Sequence, residues 1–203
     1  MPEPITRFSQ KLPRTLKILE AIKLNLSGHY NILFKVVNFK DYGSHSSRTR
    51  TLVIGVRKDL QNISPFDIFP EKNKPKTLRK LFAGLEQLNE MGQISQSDIF
   101  HSFREYNPKM LPWIENLKEG ESAFQNTEEE RIPHQIKNGK IVFNESKNGD
   151  KYARWYWDRE GPCVHTRNDI LSSQNTVHPA ENRVFSIREI MLMMSIPETF
   201  QWS

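Results

Sequence analysis

The spacing of apolar positions changes period several times along the chain. In RTLKILEAIKLNL (14–26), Leu16, Leu19, Ile22 and Leu26 recur at helical spacing, with Lys17 and Lys23 on other faces. Gly28 follows as a terminator. YNILFKVVN (30–38) is rich in β-branched and aromatic residues and predicts a strand, and TLVIGV (51–56) predicts a second. The polar FKDYGSHSSRTR (39–50) between them predicts an antiparallel pair joined by a loop that carries His45, Arg48 and Arg50. QNISPFDIFPEKNKP (61–75) holds three prolines and reads as a linker or exposed loop. KTLRKLFAGLEQLNE (76–90) places Leu78, Leu81, Phe82, Leu85 and Leu88 on one helical face. From 91 to 150 the pattern is irregular, with turn-like KNGK and KNGD and one short strand candidate, GKIVFNE (139–145). FSIREIMLMMSIP (185–197) is a helix with a legible start: Ser186 caps, Glu189 reaches back to the cap's N–H, Phe185 packs on Ile190, and Pro197 ends it.

Composition narrows the class. The 203 residues suit one large domain or two small ones. Only 36% are hydrophobic, yet 12 Phe and 4 Trp are too many large apolar groups for a disordered chain. No apolar run approaches the ~18 residues that span a bilayer. MPEPITRFSQ lacks the apolar core of a signal peptide, so a cytoplasmic protein with no membrane partner is expected. One cysteine, Cys163, excludes an internal disulfide and a cysteine-based zinc site. Residues 1–58 hold 11 Lys/Arg against 3 Asp/Glu, so the basic charge sits at one end, as suits a polyanion such as DNA.

Candidate chemistry is sparse. Cys163 follows Pro162 and precedes His165 in WDREGPCVHTRNDI (157–170), a setting that can hold a nucleophile. KLFAGLEQL (80–88) has one glycine of a Phe-x-Gly-x-Gly cofactor loop, but Glu86 replaces the second and a basic helical pattern precedes it. His178 has no metal-ligand spacing around it, and no metal is expected. Arg48 and Arg50 alternate, so on extended backbone they point the same way and can grip a phosphate or a base edge.

Two stretches together resemble the cytosine-5 DNA methyltransferases. NFKDYGSHSSRTRTLVIGVRKDL (38–60) is similar to that family's eighth conserved block through Tyr42, Gly43, Arg48, Arg50, Gly55 and Arg57. HPAENRVFSIREIMLMMSIPETF (178–200) is similar to the ninth through His178, Pro179, Arg183, Ser186, Arg188, Glu189, Pro197 and Phe200. Trp157, Asp158, Pro162 and Thr166 fit a segment that commonly precedes the ninth block, which makes Cys163 a spacer and not the nucleophile.

The resemblance implies an α/β fold: the end of a Rossmann-like methyltransferase sheet, seen as the antiparallel strand pair, plus a small loop-rich target-recognition domain. It implies 1–60 as catalytic-domain portion, 61–165 as target-recognition domain and 166–203 as the return to the catalytic domain. The family's Pro-Cys-Gln, Glu-Asn-Val and S-adenosylmethionine blocks have no counterpart in the sequence. The expectation is therefore a recognition portion of a restriction-modification enzyme. It binds double-stranded DNA, is inactive alone, and needs a complementary methyltransferase polypeptide that carries Pro-Cys-Gln and binds S-adenosylmethionine. The complete enzyme flips the cytosine out of the duplex, adds its Cys to C6 and methylates C5. By position Arg50 reaches the cytosine O2 and Arg48 holds the site and the DNA backbone, although Ser46 stands where the family has Gln and His45 where it has Pro. Arg183, Ser186, Arg188 and Glu189 are expected to be structural. Base reading falls to the middle module, where Arg104, Lys109, Lys137, Lys140, Lys147, Lys151, Arg154 and Arg159 are available, with Lys151 and Arg154 the first candidates for DNA contact. The alternatives are an inactive truncated remnant and a stand-alone DNA-binding module.

Overall fold

A computed structural model describes residues 17–145, 149–197 and 199–200. The fold is mixed α/β with two small two-stranded sheets. Two compact units share the chain. One runs over Thr49–Glu71 together with the chain up to Val37, the other over Asn38–Arg48 together with the chain from Lys72 on.

The first unit holds helix α1 (Ile18–Leu26) and most of strands β1 (Tyr30–Asn38) and β2 (Thr49–Arg57). Leu16 lies outside the described residues. Lys58 N–H donates to His29 O at one end of the strand pair and Phe39 N–H to Arg48 O at the other, so the strands run antiparallel, as their alternation with a polar loop predicts. α1 ends in a turn at 27–29, without the left-handed glycine expected at Gly28. None of its residues is buried. Val37 and Val56 are buried, whereas Ile18, Leu24, Val36, Phe66 and Ile68 are 55–78% exposed. This unit thus leaves more apolar side chain in solvent than a finished core does.

The second unit holds short helices α2 (Leu78–Leu81), α3 (Leu111–Ile114) and α4 (Ile187–Met193), and the hairpin β3 (His134–Lys137) and β4 (Lys140–Phe143). The helix expected over 76–90 is one turn long. Its apolar positions do not share a core: Leu78 and Phe82 pack with Phe185, Leu192 and Met193, whereas Leu88 packs with Phe103, Trp113, Ile114 and Tyr152. The chain turns at Leu85, whose N–H bonds Phe82 O, and the Leu88 N–H is taken by the Glu181 carboxylate at 2.9 Å. A continuous helix could not serve both clusters.

Val184, bridged to Val177, and Phe185 after it divide these two cores. Successive side chains on extended backbone point to opposite sides. Val184 accordingly enters the cluster of Trp113 and Val177, and Phe185 enters that of Leu78 and Met193. Among the described residues, no helix is long and apolar enough to cross a membrane.

Gly161 sits at a close approach in the second unit. It pairs with Ser46, and a Cβ there would lie 2.3 Å from the Met193 sulfur and 3.2 Å from His45 O. Met193 is fully buried and cannot swing into solvent. Gly161→Ala is expected to destabilise the protein by roughly 1–3 kcal/mol through overpacking, read as a lower urea midpoint. An unchanged midpoint would show that the 44–47 loop and Met193 yield freely.

Candidate functional site

Asn38 closes the loop that carries the sequence's arginine pair. Its Oδ1 accepts the Lys40 and Arg48 N–H groups at 3.2 and 3.0 Å, and its Nδ2 donates to Ser47 Oγ at 2.9 Å. The segment around Gly161 runs parallel to this loop: Ser47 N–H bonds Gly161 O at 3.0 Å and Gly161 N–H bonds His45 O at 2.8 Å. Lys40 and Glu160 add an ion pair at 3.1 Å. Arg48 is half-buried and donates from Nη1 to Val164 O. It therefore works as a tie inside the second unit. Arg50 lies in β2 in the first unit, exposed, and among the described residues its side chain donates to Thr49 O, at 2.7 Å. Cys163 is a free, exposed thiol near Arg48 Nη1 at 3.9 Å.

Behind this loop lies a buried polar core built on α4. Arg183 donates to Glu189 twice, Nη1 to Oε2 at 2.9 Å and Nη2 to Oε1 at 2.7 Å, and from Nε to Glu181 Oε2 at 2.8 Å. Arg183 and Glu189 are each 1% exposed. Burial favours a neutral carboxyl at Glu189, but the Arg183 hydrogen bonds and charge outweigh it and hold the carboxyl below its usual range. Ser186 and Glu189 form the capping box the sequence announced: Ser186 N–H to Glu189 Oε2 at 2.8 Å, Glu189 N–H to Ser186 Oγ at 3.1 Å. The next two amides of α4, Ile187 and Arg188, donate to Ser102 O and Phe100 O. The first turn thus leaves none of these N–H groups unpaired, which is the main cost of burying a helix start. Arg188 also grips both oxygens of Asp98.

Two histidines are fixed by the same network. His101 Nε2 lies 2.7 Å from Glu86 O, a pure acceptor, so Nε2 carries the proton and Nδ1 accepts from Ser186 Oγ at 2.9 Å. His178 Nδ1 accepts from the Ala180 and Glu181 N–H groups at 3.3 and 3.0 Å, which leaves Nε2–H facing Glu189 Oε1 at 3.6 Å. Burial among Phe82, Trp157 and Phe185 lowers the His178 pKa to about 4, against the upward pull of Glu189, so at neutral pH this is a neutral imidazole and not half of an ion pair.

The candidate DNA-binding cations separate into two groups. Arg154, expected at the DNA surface, is 3% exposed and faces inward. Its Nη1 donates to His178 O and Glu181 O, and its Nη2 to Ile114 O and Asn182 Oδ1, at 2.7–3.0 Å. That expectation is corrected: a fork of donors with no exposed face cannot meet a phosphate, and it pins α3 to the 178–182 turn instead. Arg104 is paired with Asp169 at 2.7 Å, and Arg159 stacks over Trp155 and Tyr156. Lys147 lies outside the described residues. Lys109, Lys137, Lys140 and Lys151 remain exposed, with no ion pair among the described residues. Lys151 lies with Arg167, His165 and Ser172 on an open polar concavity of about 450 Å³.

Asp98, His101 and Glu181 went unnoticed in the sequence. Asp98 stands 90 positions from Arg188, and nothing in a single sequence couples them. The 80–88 stretch does not fit a cofactor loop. Phe82 is buried in the core, a one-turn helix precedes Gly84 where such a loop needs a strand, and Glu86 O is occupied by His101. Among the described residues, no group of three or more His, Cys, Asp and Glu could hold a metal ion.

A solved structure shares this architecture. It is an E. coli prophage protein described as a DNA modification methyltransferase, with TM-score 0.55, 19% identity, and 86% of this chain and 52% of that one covered. The fold is that of part of a DNA methyltransferase. The chain belongs to the C-5 cytosine-specific DNA methylase family, whose model matches residues 9–203. It is 25% identical to the type II methyltransferase M1.HgaI of Avibacterium volantium, over 96% of this chain and 52% of that protein. It is 24% identical to the type II methylase M.HgiDII of Herpetosiphon aurantiacus, over 86% and 47%. The chain thus spans about half the length of these curated relatives. Members of the family use S-adenosylmethionine as methyl donor.

Two outcomes follow from the buried network. In the unfolded chain a histidine takes its proton near pH 6.5, whereas folded His178 stays neutral down to about 4. Between these values the unfolded state binds more protons, so stability falls as pH drops through the window, by on the order of 3 kcal/mol in total. Urea midpoints at pH 7 and pH 5 should differ, and His178→Gln should shrink the difference. A wild-type midpoint that stays flat over this range would contradict the assignment. Arg154→Ala leaves four oxygens without their donor and is expected to cost about 3 kcal/mol or more, while Lys151→Ala leaves the midpoint within about 0.5 kcal/mol. Equal midpoints for the two variants would place Arg154 outside the scaffold.

Proposed function

We propose that this chain is the DNA-recognition portion of a type II cytosine-5 DNA methyltransferase. Residues 1–60 complete the catalytic domain, 61–165 recognise the target in double-stranded DNA, and 166–203 return to the catalytic domain. The blocks carrying Pro-Cys-Gln, Glu-Asn-Val and the S-adenosylmethionine site come from polypeptide not contained in these residues. The sorting of the cations carries the reading. Arg154, Arg183 and Arg188 are consumed inside the fold, while Lys109, Lys137, Lys140 and Lys151 stand in solvent without carboxylate partners among the described residues. A surface of unpaired lysines over a rigid core suits a polyanion.

The exposed apolar residues of the first unit, Ile18, Leu24, Val36 and Phe66 among them, leave apolar surface that the remainder of a catalytic domain can cover. In this assignment Arg50 is the group that meets the flipped cytosine, where a charged donor at O2 stabilises the negative charge that grows on the ring as the nucleophile adds. Arg48 acts as a positioning residue that holds the loop against Val164. Cys163 has no part in the chemistry.

The test uses duplex DNA and S-adenosylmethionine labelled in its methyl group. The purified chain alone should transfer no label. Addition of a polypeptide bearing the Pro-Cys-Gln half should restore transfer. In that complemented enzyme Arg50→Ala should reduce the rate by about 10²–10³-fold, and Cys163→Ser should leave it unchanged. Label in DNA from the chain alone, or its loss on Cys163→Ser with folding intact, would overturn the assignment.

A further inference from the structure

The β3–β4 hairpin is built unlike the rest of the second unit. Asn138 and Gly139 connect the strands with φ of 52° and 73°, the two positive values of a tight type I′ turn. The pairs are His134 with Phe143, Gln135 with Val142, Ile136 with Ile141 and Lys137 with Lys140. Among the described residues, the anchoring contacts lie at the base. His134 packs on Trp113 at 5.6 Å between ring centres, and Asn144 N–H bonds Pro133 O at 2.8 Å. Beyond the base both faces are open to solvent: Ile136 is 67% exposed and Val142, on the other face, 42%.

Two features of the tip work against stability. An isolated two-stranded hairpin is marginal in water, and like charges directly opposite one another weaken it further. Lys137 and Lys140 are directly opposite, on one face, and no carboxylate neutralises either among the described residues. Arg154, Arg183 and Arg188 bond inside the fold, whereas this lysine pair stands at the far end of a ribbon without a carboxylate among the described residues. The same face carries Gln135 and Val142, a side-chain amide beside a branched apolar group.

We infer that this hairpin is the element that enters the major groove of duplex DNA, presenting the face of Gln135, Lys137, Lys140 and Val142. The inference rests on the DNA-recognition reading above and names the part of the chain that performs it. The major groove of B-DNA is about 12 Å wide and admits a two-stranded ribbon. Lys137 and Lys140 then meet phosphates, each neutralising one and releasing counterions. The Gln135 amide matches the acceptor and donor of an adenine edge, and the Val142 methyls match the neighbouring thymine methyl. The ribbon thus reads an A·T pair while its tip is held by charge.

The experiment measures binding of the full chain to a labelled duplex by fluorescence anisotropy between 50 and 200 mM salt. For Lys137→Ala/Lys140→Ala, the slope of log K against log salt should shrink by about 2, so wild type loses about tenfold more affinity than the variant over that range. Both side chains are exposed, and an unchanged urea midpoint confirms that the variant folds. Arg104→Ala, whose partner is Asp169, is the control and should leave the slope alone. Gln135→Ala should keep the slope but lose preference for an A·T pair among duplexes selected from a random pool. If wild type binds and the double variant keeps its slope, the hairpin is not the reading element, although the DNA-recognition reading stands. If wild type binds no duplex at any salt concentration, both fall. If Ile136→Ser/Ile141→Ser abolishes association with the complementing polypeptide while the lysine variant binds DNA normally, the ribbon is a protein contact and the inference is wrong.

Discussion

The buried pair of Arg183 and Glu189 is the interaction on which the second unit depends. Removing two charges from water costs more than their attraction returns unless nearly every remaining donor and acceptor is satisfied. Here that condition shapes the surroundings. Glu181 takes the Arg183 Nε and the Leu88 amide, Ser186 N–H occupies Glu189 Oε2, and Val184 O accepts from Arg183 Nη1. Glu181, Val184 and Ser186 bracket the pair in one stretch and Leu88 comes from another, so satisfying these charges ties the 178–183 turn and the start of α4 to the 85–88 turn. The apolar clusters on either side of 183–185 pack against a seam whose polar geometry has one solution.

The two kinds of cation divide the work by their chemistry. A guanidinium is a planar fork that can bond several carbonyls at once, while an ammonium on a flexible stem is a hydrated point charge. Arg154 bonds backbone oxygens from segments far apart in sequence, Arg183 joins the carboxylates of Glu181 and Glu189, and both act as internal ties. Lys109, Lys137, Lys140 and Lys151 have nothing comparable to hold and remain outside. The loop-rich second unit is thus tied internally by buried arginines, while these four lysines stay in solvent.

Local features were legible in the sequence where a short-range rule governed them. Strands β1 and β2 and the Lys140–Phe143 strand came from runs of β-branched and aromatic residues, and the capping box of Ser186 and Glu189 from a spacing of three. The helix over 76–90 failed because periodicity reports only that residues are buried, not that they share a core; Leu78 and Leu88 are buried in different clusters. Arg154 failed for a related reason. Its position in a basic, loop-rich stretch suggested an outward charge, but its four acceptors come from positions 114, 178, 181 and 182, which no local pattern links to it. Resemblance carried the family assignment further than composition could, since charge alone gave only a basic end.

The most direct measurement is a double-mutant cycle on Arg183→Met and Glu189→Leu, read as urea denaturation of the whole chain. If the pair organises the module, each single change leaves an uncompensated buried charge and costs about 3–5 kcal/mol. The double change then costs far less than their sum, with a coupling energy of several kcal/mol. Additive costs would contradict this, and would mean that the two residues stabilise the fold separately and that the seam between the two cores is held by apolar packing alone.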